Sequence, residues 1–263
     1  MTNDHIPNSS LDPRLHNIVK QQPHPLLFVT ISGAHLYGFP SPDSDYDLRG
    51  VHCLPLETVV GLSDGQLTIE QSTIEDGLEI DLVTHDVKKY FAMVLKRNGY
   101  VLEQIFSPLI VQTSPEHAEL KEIAQRCITR HHAHHYLGFA NTQWRLFQKE
   151  EPKRVKPLLY VFRVLLTGIY LMQTGKVEAN LVTLNQIFQI PHLDSLVHCK
   201  VRGTEQATLG TADLPFFAQE FARLVQRLET EQERSTLPDT PVATADLNDL
   251  LVRIRLQIAT NRT

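Results

Sequence analysis

Two aspartates separated by a single residue, Asp45 and Asp47, have the spacing that points most directly to chemistry. Residues 45–51, DYDLRGV, predict a β-strand, and side chains at alternate positions of a strand project from the same face. Two carboxylates on one face offer hard oxygen ligands, which Mg²⁺ prefers. A metal ion held there would bind a triphosphate and activate an attacking oxygen.

A glycine-containing turn lies upstream of these aspartates. Residues 26–31, LLFVTI, predict a short buried strand. Gly33 interrupts it, and residues 34–37 predict a short helical turn that ends at Gly38. Such a strand-to-helix turn presents free backbone N–H groups and the positive end of a helix dipole, where phosphate oxygens bind. An isolated Asp-x-Asp is also typical of a solvated turn, so the combination with the upstream turn favours a metal and phosphate site.

A third carboxylate is expected from a neighbouring strand. Residues 66–72 and 78–84 alternate in polarity and predict two strands joined by a turn. A metal site that activates an attacking hydroxyl gains from a further acid that shares the metal and takes the proton from that hydroxyl. Asp81, at the centre of the second strand, is the predicted acid, and Glu79 is the alternative. The competing interpretation is that both side chains form the exposed face of an edge strand.

The longer string GAHLYGFPSPDSDYDLRG, residues 33–50, resembles the predicted nucleotidyltransferases of the YcgL/RlaP type. These belong to the DNA polymerase β-like nucleotidyltransferase superfamily, whose pattern is Gly-Ser/Gly, a gap of about ten residues, then Asp-x-Asp. Other similarities run to near the C-terminus, and they include Lys200, which is expected beside a loop. Ala34 departs from the pattern, because superfamily members usually have Ser or Gly there. The phosphate contact then falls to Ser32 or to backbone N–H groups, or is absent.

The resemblance implies an α+β fold with two domains. Residues 1–112 are expected to form a polymerase β-like palm, a mixed sheet with flanking helices, and residues 113–263 a helical domain that closes the active site. It also implies two Mg²⁺ ions, replaceable by Mn²⁺, held by Asp45, Asp47 and Asp81. The residues expected to bind the nucleotide, with ATP favoured, are Ser32, Gly33, Ala34, Ser44, Lys156, Tyr160 and Arg163.

The most hydrophobic segment, PLLYVFRVLLTGIYLMQ, predicts the central buried helix of the second domain. We expect it to be too short and too charged at its start to span a membrane. Lys156, Tyr160 and Arg163 lie at i, i+4 and i+7 and share one helix face. Arg163 is a cation within an apolar helix, which is costly unless it is paired. A triphosphate would pair it, and the alternative is an ion pair with an acid such as Asp81 or Glu103.

Further helices are expected on both sides of the predicted domain boundary. Residues 85–98 predict an amphipathic helix that Gly99 ends. Ser114 and Pro115 predict the N-cap and first residue of another helix. The four histidines at 131, 132, 134 and 135 favour a polar or phosphate-facing helix surface over a zinc site, because no acid or cysteine has ligand-like spacing to them.

Charge and composition bound the partners. The net charge is −5, which excludes general affinity for nucleic acid, although residues 121–163 are rich in Lys and Arg with interleaved aromatics. That region suits an RNA or triphosphate surface, and the alternative is a solvated face with aromatics in the core. Three widely spaced cysteines, the lack of a secretory signal and the lack of an 18-residue apolar run predict a reduced, cytoplasmic protein without a membrane partner.

The sequence therefore predicts transfer of an NMP from an NTP to an acceptor hydroxyl with release of pyrophosphate. The resemblance implies an RNA end as the acceptor. A protein hydroxyl or a small molecule, as in antibiotic-modifying relatives, is the enzymatic alternative. Ala34 favours a third possibility, an inactive nucleotide-sensing or RNA-binding module. The sequence does not indicate an oligomeric state.

Overall fold

A computed structural model of the chain describes residues 11–62, 65–203, 208–209 and 214–260. The first ten residues, where no secretory signal is expected, lie outside this part. The described residues divide into two compact units. The first unit comprises the described residues within 1–33, 45–127 and 241–263, and the second comprises those within 34–44 and 128–240.

The first unit contains a five-stranded mixed sheet with the order β3-β4-β2-β1-β5. Its strands are β1 (Leu26–Ile31), β2 (Tyr46–His52), β3 (Thr68–Glu75), β4 (Leu78–Asp86) and β5 (Ile110–Gln112). The β2–β4 pair is parallel, and the other three pairs are antiparallel. The predicted mixed sheet is thus confirmed. The predicted alternation of β4 is confirmed too, since Ile80 and Leu82 are buried whereas Glu79 is exposed.

Helices flank this sheet. They are α1 (Pro13–Lys20), α3 (Leu56–Val60), α4 (Val87–Leu95), α5 (Gly99–Ile105), α6 (Pro115–Gln125) and α12 (Thr244–Thr260). One apolar core joins Phe28 of β1, Tyr90 of α4, Leu120 of α6 and Leu250 of α12. Burial of these apolar faces is the dominant stabilising term for such an arrangement.

The contacts of α6 and α12 differ from the predicted boundary at residues 112/113. Both helices pack in the core of the first unit, and the backbone N–H of Val242 donates to the carbonyl of Arg126 at 3.2 Å. The helical periodicity of both segments predicts an apolar stripe. Periodicity does not say which core receives the stripe, so the assignment of these two helices to the second domain was wrong.

The second unit is helical. Its elements are α2 (Gly33–Tyr37, which starts at the last residue of the first unit's segment), a 3₁₀ helix (Arg130–His132), α7 (Ala133–Lys149), α8 (Val155–Thr174), α9 (Leu181–Phe188), α10 (Leu193–Arg202) and α11 (Leu214–Arg234). Helix α8 is the predicted central helix, and α7 and α11 pack against it. The expectation that α8 is too short for a membrane span was wrong. It is long and apolar enough, but 78% of its most apolar window is buried inside the protein, as in a core helix.

Two helix boundaries in the first unit also differ from expectation. Strand β4 continues to Asp86, whose side chain caps α4 by accepting from the N–H of Lys88 at 3.0 Å. Gly99 begins α5 instead of ending α4, because Asn98 caps α5 and the chain turns at Arg97, whose φ is +59°. The predicted Ser114 cap is confirmed by its bond to the N–H of His117.

Candidate functional site

The structure brings the three predicted acids together in the first unit. Asp47 lies on β2 and pairs in register with Asp81 on the parallel strand β4, while Asp45 immediately precedes β2. One carboxylate oxygen from each residue lies within 4.8 Å of the others, and all three side chains are half-buried. The cluster follows from a local motif and from one strand pairing.

Register also explains why Asp81, and not Glu79, joins this cluster. Strand pairing begins at Tyr46 opposite Ile80, so the residue beside Asp47 is Asp81. Strand β4 lies between β3 and β2, so it is not an edge strand and that competing interpretation was wrong. Glu79 is exposed and lies outside the cluster.

The three carboxylates fit a divalent cation. At separations near 5 Å and an effective dielectric constant of about 20, two carboxylates repel each other by roughly 3 kcal/mol. A cation among the oxygens relieves this repulsion, and an all-carboxylate donor set suits Mg²⁺ or Mn²⁺. Asp45, Asp47 and Asp81 would hold such an ion.

The predicted phosphate-binding turn lies against this cluster. Gly33 has φ of +61°, and a Cβ at this position would lie 2.0 Å from Oδ2 of Asp47, so only glycine fits there without a shift. The N–H of Ser32 donates to the carbonyl of Asp47 at 2.7 Å. Ser32 is 1% exposed, and its hydroxyl has no hydrogen-bond partner within the described residues. Both residues belong to the first unit, as do the three aspartates.

The other predicted nucleotide-binding residues belong to the second unit. Ala34 is buried in α2, and Ser44 closes the following turn, where its Oγ accepts from the N–H of Ser41 at 2.9 Å. Lys200 donates from Nζ to Oγ of Ser41 at 2.5 Å and is fully buried. Lys200 therefore lies within α10 and supports this turn, whereas the sequence suggested a position beside a loop.

Two of the three residues predicted to share a face of α8, Tyr160 and Arg163, contact Tyr37. The rings of Tyr160 and Tyr37 meet edge-on, with centroids 5.5 Å apart, and the guanidinium of Arg163 lies 3.9 Å from the centre of the Tyr37 ring. Arg163 is 3% exposed, and a cation over an aromatic face offsets part of the cost of burial. Lys156 is half-buried on the same helix. Burial and the charge of Arg163 lower the pKa of His135.

Arg49 is a site residue that the sequence did not single out. It donates from Nη2 to Oδ1 of Asp47 at 2.6 Å, from Nη1 to the carbonyl of Asp81 at 2.9 Å, and from Nε to the hydroxyl of Tyr100 at 2.8 Å. Burial opposes its charge, but Tyr100 and Asp47 outweigh burial and raise its pKa above the usual value. Its position two residues after Asp47, on the same strand face, is the pattern that points to it.

The basic region at residues 121–163 is partly neutralised. Four of its described residues form ion pairs, Arg126 with Asp246, Arg130 with Asp239, Lys153 with Glu151 and Arg154 with Glu150. Arg145 and Lys149 on α7 are exposed. Trp144 stacks on Phe221 with centroids 4.5 Å apart and is 8% exposed, so it belongs to the core and is not a platform for bases.

The ligand-atom distances that group the three aspartates do not group the four histidines at 131, 132, 134 and 135. Within the described ranges, the aspartate triad is the group of His, Cys, Asp and Glu side chains close enough to share an ion. His132 is buried and takes part in a capping box with Thr129, while His131 lies 3.3 Å from Asp239. The predicted helix-surface position is correct for the exposed His134 but wrong for the fully buried His132.

The chain is similar to two proteins described as uncharacterized. The chain is 32% identical over 154 residues to the uncharacterized protein MJ0002 of Methanocaldococcus jannaschii, covering 59% of this chain and 63% of that protein. It is 24% identical over 238 residues to the uncharacterized protein YcgL of Bacillus subtilis, covering 86% and 88% of the two chains. The chain thus spans less than two thirds of the length of MJ0002 but most of YcgL.

A solved nucleotidyltransferase-like protein from Exiguobacterium sibiricum aligns over 84% of this chain and 73% of its own, at 11% identity. The TM-score of that alignment is 0.31, too low for a conclusion about fold or function. The family RlaP, described as RNA repair pathway DNA polymerase beta family, matches residues 8–253. This chain therefore belongs to the RlaP family, within the polymerase β-like nucleotidyltransferases, as the motif around the aspartate triad predicted.

Proposed function

We propose that this chain transfers an NMP from an NTP to a hydroxyl at an RNA end and releases pyrophosphate. The observation that carries the proposal is the aspartate triad, whose ligand oxygens lie within 4.8 Å of one another beside the Gly33 turn. Two Mg²⁺ ions, for which Mn²⁺ substitutes, would neutralise the triphosphate and activate the acceptor oxygen. Asp45, Asp47 and Asp81 would hold them.

In the proposed reaction the acceptor oxygen attacks the α-phosphorus, and the bond from that phosphorus to the β-bridging oxygen breaks. Asp81 orients the acceptor hydroxyl and takes its proton, while the electron pair leaves with pyrophosphate. The hydroxyl of Ser32 and the backbone N–H groups of Gly33 and Ala34 bind the β- and γ-phosphates, as expected for a turn of this type. Lys156 and Arg163 neutralise the leaving group, Tyr160 supports them, and Ser44 contacts the nucleotide.

The RNA acceptor is supported by the RNA repair description of the family and by exposed basic residues. Arg145 and Lys149 on α7 offer charges to a phosphate backbone. The buried aromatics of that region do not add stacking platforms, so we propose a contact made chiefly through phosphates. Such a contact predicts binding that weakens steeply with salt.

We further propose ATP as the favoured donor and the cytoplasm as the compartment. Cys53 and Cys127 are buried free thiols, and Cys199 is an exposed one. Unpaired thiols are typical of proteins in a reducing compartment. Base preference is tested by comparing the four NTPs directly.

The proposal is tested with α-³²P-labelled NTPs, Mg²⁺ and a short RNA that ends in a 3′ hydroxyl. A matched RNA with a dideoxy 3′ end lacks the acceptor hydroxyl. We expect label in the first RNA, none in the second, and none with Asp47→Asn. Glu79→Gln, which changes an exposed acid on β4 outside the triad, is the matched control and should retain activity.

The other outcomes separate the alternatives. Label in the chain itself or in lysate protein would replace RNA by a protein hydroxyl as the acceptor. Label in a small hydroxyl compound would point to a small-molecule acceptor. NTP binding without pyrophosphate release for any acceptor would overturn the enzymatic proposal in favour of a nucleotide sensor, the function that Ala34 favours.

A further inference from the structure

Arg49 links the two strands that present the acids. Its guanidinium contacts the side chain of Asp47 on its own strand and the backbone carbonyl of Asp81 on the neighbouring strand. The hydroxyl of Tyr100, on α5, accepts from Nε at 2.8 Å and holds the third edge of the guanidinium. The Arg49 side chain is 18% exposed, so these contacts leave it little freedom.

The two oxygens of Asp47 face different neighbours. Oδ1 accepts from Arg49, whereas Oδ2 lies against Gly33, where a Cβ would approach it to 2.0 Å. A carboxylate whose first oxygen is held by a rigid guanidinium has its second oxygen fixed in direction. That direction is toward the turn expected to bind the phosphates.

We propose that Arg49, anchored by Tyr100, is a positioning residue that orients Oδ2 of Asp47 toward the Gly33 turn and weakens the hold of the triad on its metal. This inference rests on the proposed function for its catalytic part. Its metal-binding part stands on the Arg49–Asp47 contact alone. A positive charge 2.6 Å from Oδ1 competes electrostatically with a bound cation. A moderate hold suits a metal that arrives and leaves with a nucleotide.

A purely structural role for Arg49, as a link between strands, makes a different prediction. It would lower stability, metal affinity and turnover together. The proposed role instead separates them, because the charge acts on metal affinity and the planar geometry acts on orientation.

The test compares Arg49→Gln, Arg49→Lys and Tyr100→Phe. Mn²⁺ affinity without nucleotide is measured by electron paramagnetic resonance, with kcat, KM and the thermal midpoint. For Arg49→Gln we expect Mn²⁺ affinity about threefold to tenfold tighter, because a cation is removed, and kcat lowered at least about thirtyfold, because Oδ2 is no longer oriented. Arg49→Lys keeps the charge, so Mn²⁺ affinity should stay within about twofold while kcat still falls.

Tyr100→Phe should lower kcat by about threefold to tenfold with little change in Mn²⁺ affinity, since the charge remains. Tyr90→Phe is its matched control, because the buried Tyr90 hydroxyl donates to the carbonyl of Val101 and does not contact Arg49. Tyr90→Phe should lower the thermal midpoint and leave Mn²⁺ affinity and kcat unchanged. Arg253→Gln, at an exposed ion pair with Glu119, is the control for the loss of a charge.

Weaker Mn²⁺ binding by Arg49→Gln, or kcat unchanged in Arg49→Gln and Arg49→Lys, would overturn the inference. If the wild-type chain releases no pyrophosphate with any acceptor, the proposed function fails. The Mn²⁺ measurement still decides whether Arg49 weakens metal binding by the triad. Tighter Mn²⁺ binding in Arg49→Gln, absent in Arg253→Gln, would then support the effect of Arg49 on the triad. Equal Mn²⁺ affinities of the wild type and Arg49→Gln would overturn the effect of Arg49 on the triad.

Discussion

The two ends of the β2–β4 strand pair both carry arginine–aspartate contacts, but the contacts differ in kind. At one end Asp47 and Asp81 are register partners, and Arg49 contacts the half-buried carboxylate of Asp47. Five residues further along, His52 pairs with Asp86. Asp86 is 1% exposed in its side chain and accepts from Arg255 with both oxygens, at 2.7 and 2.6 Å.

The carboxylate of Asp86 also accepts hydrogen bonds from the backbone. The backbone N–H groups of Leu54 and Lys88 donate to it at 3.3 and 3.0 Å, and Arg255 also donates to the carbonyl of Leu54 at 2.8 Å. The chain thus supplies the donors that a buried carboxylate requires. This pair connects α12 with the end of the sheet and has a structural role.

At the Asp47–Asp81 end of the strand pair, negative charges outnumber the positive charges that contact them. Three carboxylates lie within 4.8 Å, an arrangement that costs stability without a cation. Burial and completed hydrogen bonds thus mark a structural carboxylate, whereas a half-exposed cluster of acids marks a place for an external cation.

The largest expected effect is on catalysis at the exposed end. Asp47→Asn should lower pyrophosphate release at least about 10³-fold, because a metal ligand and its charge are lost. The free energy of unfolding should change by less than about 1 kcal/mol, since relief of repulsion offsets the weakened Arg49 contact. Turnover and urea unfolding measure the two effects. A loss of stability that matches the loss of activity would remove the distinction.

Next is the buried end. Arg255→Met should lower the free energy of unfolding by about 3–5 kcal/mol, because it leaves Asp86 charged and buried without its guanidinium. The double variant Asp86→Asn/Arg255→Met should recover part of this loss. Arg253→Met, on the exposed side of the same helix, is the matched control with little expected effect. A change below about 1 kcal/mol for Arg255→Met would contradict a structural role.

The third prediction concerns His117, a buried imidazole whose hydrogen bonds are complete when it is neutral. His117 is 1% exposed, and Nε2 donates to the carbonyl of Ile105, so Nδ1 accepts from the hydroxyl of Thr113. Burial, with a smaller effect of Lys121, lowers the pKa of His117 to about 4.

Protonation of His117 therefore favours the unfolded chain. Its stabilising contribution is complete above the unfolded pKa of about 6.5 and is lost as the pH falls toward 4, by roughly 3 kcal/mol at most. Urea unfolding between pH 7.5 and 4.5 should show this slope in the wild type and a shallower one in His117→Gln. Parallel slopes would show that His117 is not the responsible group.

The smallest expected effect concerns the contact of the turn with the triad. Gly33→Ala should cost about 1–2 kcal/mol of stability, because a residue with a Cβ resists the positive φ. The new methyl also displaces Oδ2 of Asp47, so turnover should fall at least about tenfold. Gly77→Ala is the matched control, since Gly77 also has a positive φ but no atom within 4 Å of a Cβ. Equal losses of turnover in both would point to backbone strain alone.

Much of the site follows from local sequence. The Asp-x-Asp spacing, the glycine turn and the alternation of β4 each depend on neighbours within a few residues. Helix α9 spans Leu181–Phe188 and buries Leu181, Leu184 and Asn185, which recur at helical spacing. Local spacing sets which side chains share a face, so these features are visible before folding is considered.

Other contacts join residues distant in sequence. Arg49 meets Tyr100 across 51 residues, and Arg255 meets Asp86 across 169. The guanidinium of Arg163 on α8 contacts the ring of Tyr37, and Trp144 stacks on Phe221 in the core. Periodicity predicts that such side chains are buried but does not name the surface that buries them.

The amino-acid order was therefore enough to predict the family, the mixed sheet and the three acids, because these depend on short-range spacing and backbone preference. The sequence predicted Asp81 with Glu79 as the alternative, and the register of β4 against β2 places Asp81 beside Asp47. The partner of Arg163, the role of Arg49 and the unit to which α6 and α12 belong came from packing between distant segments. Packing is decided by shape and charge in three dimensions, and a linear pattern does not contain them.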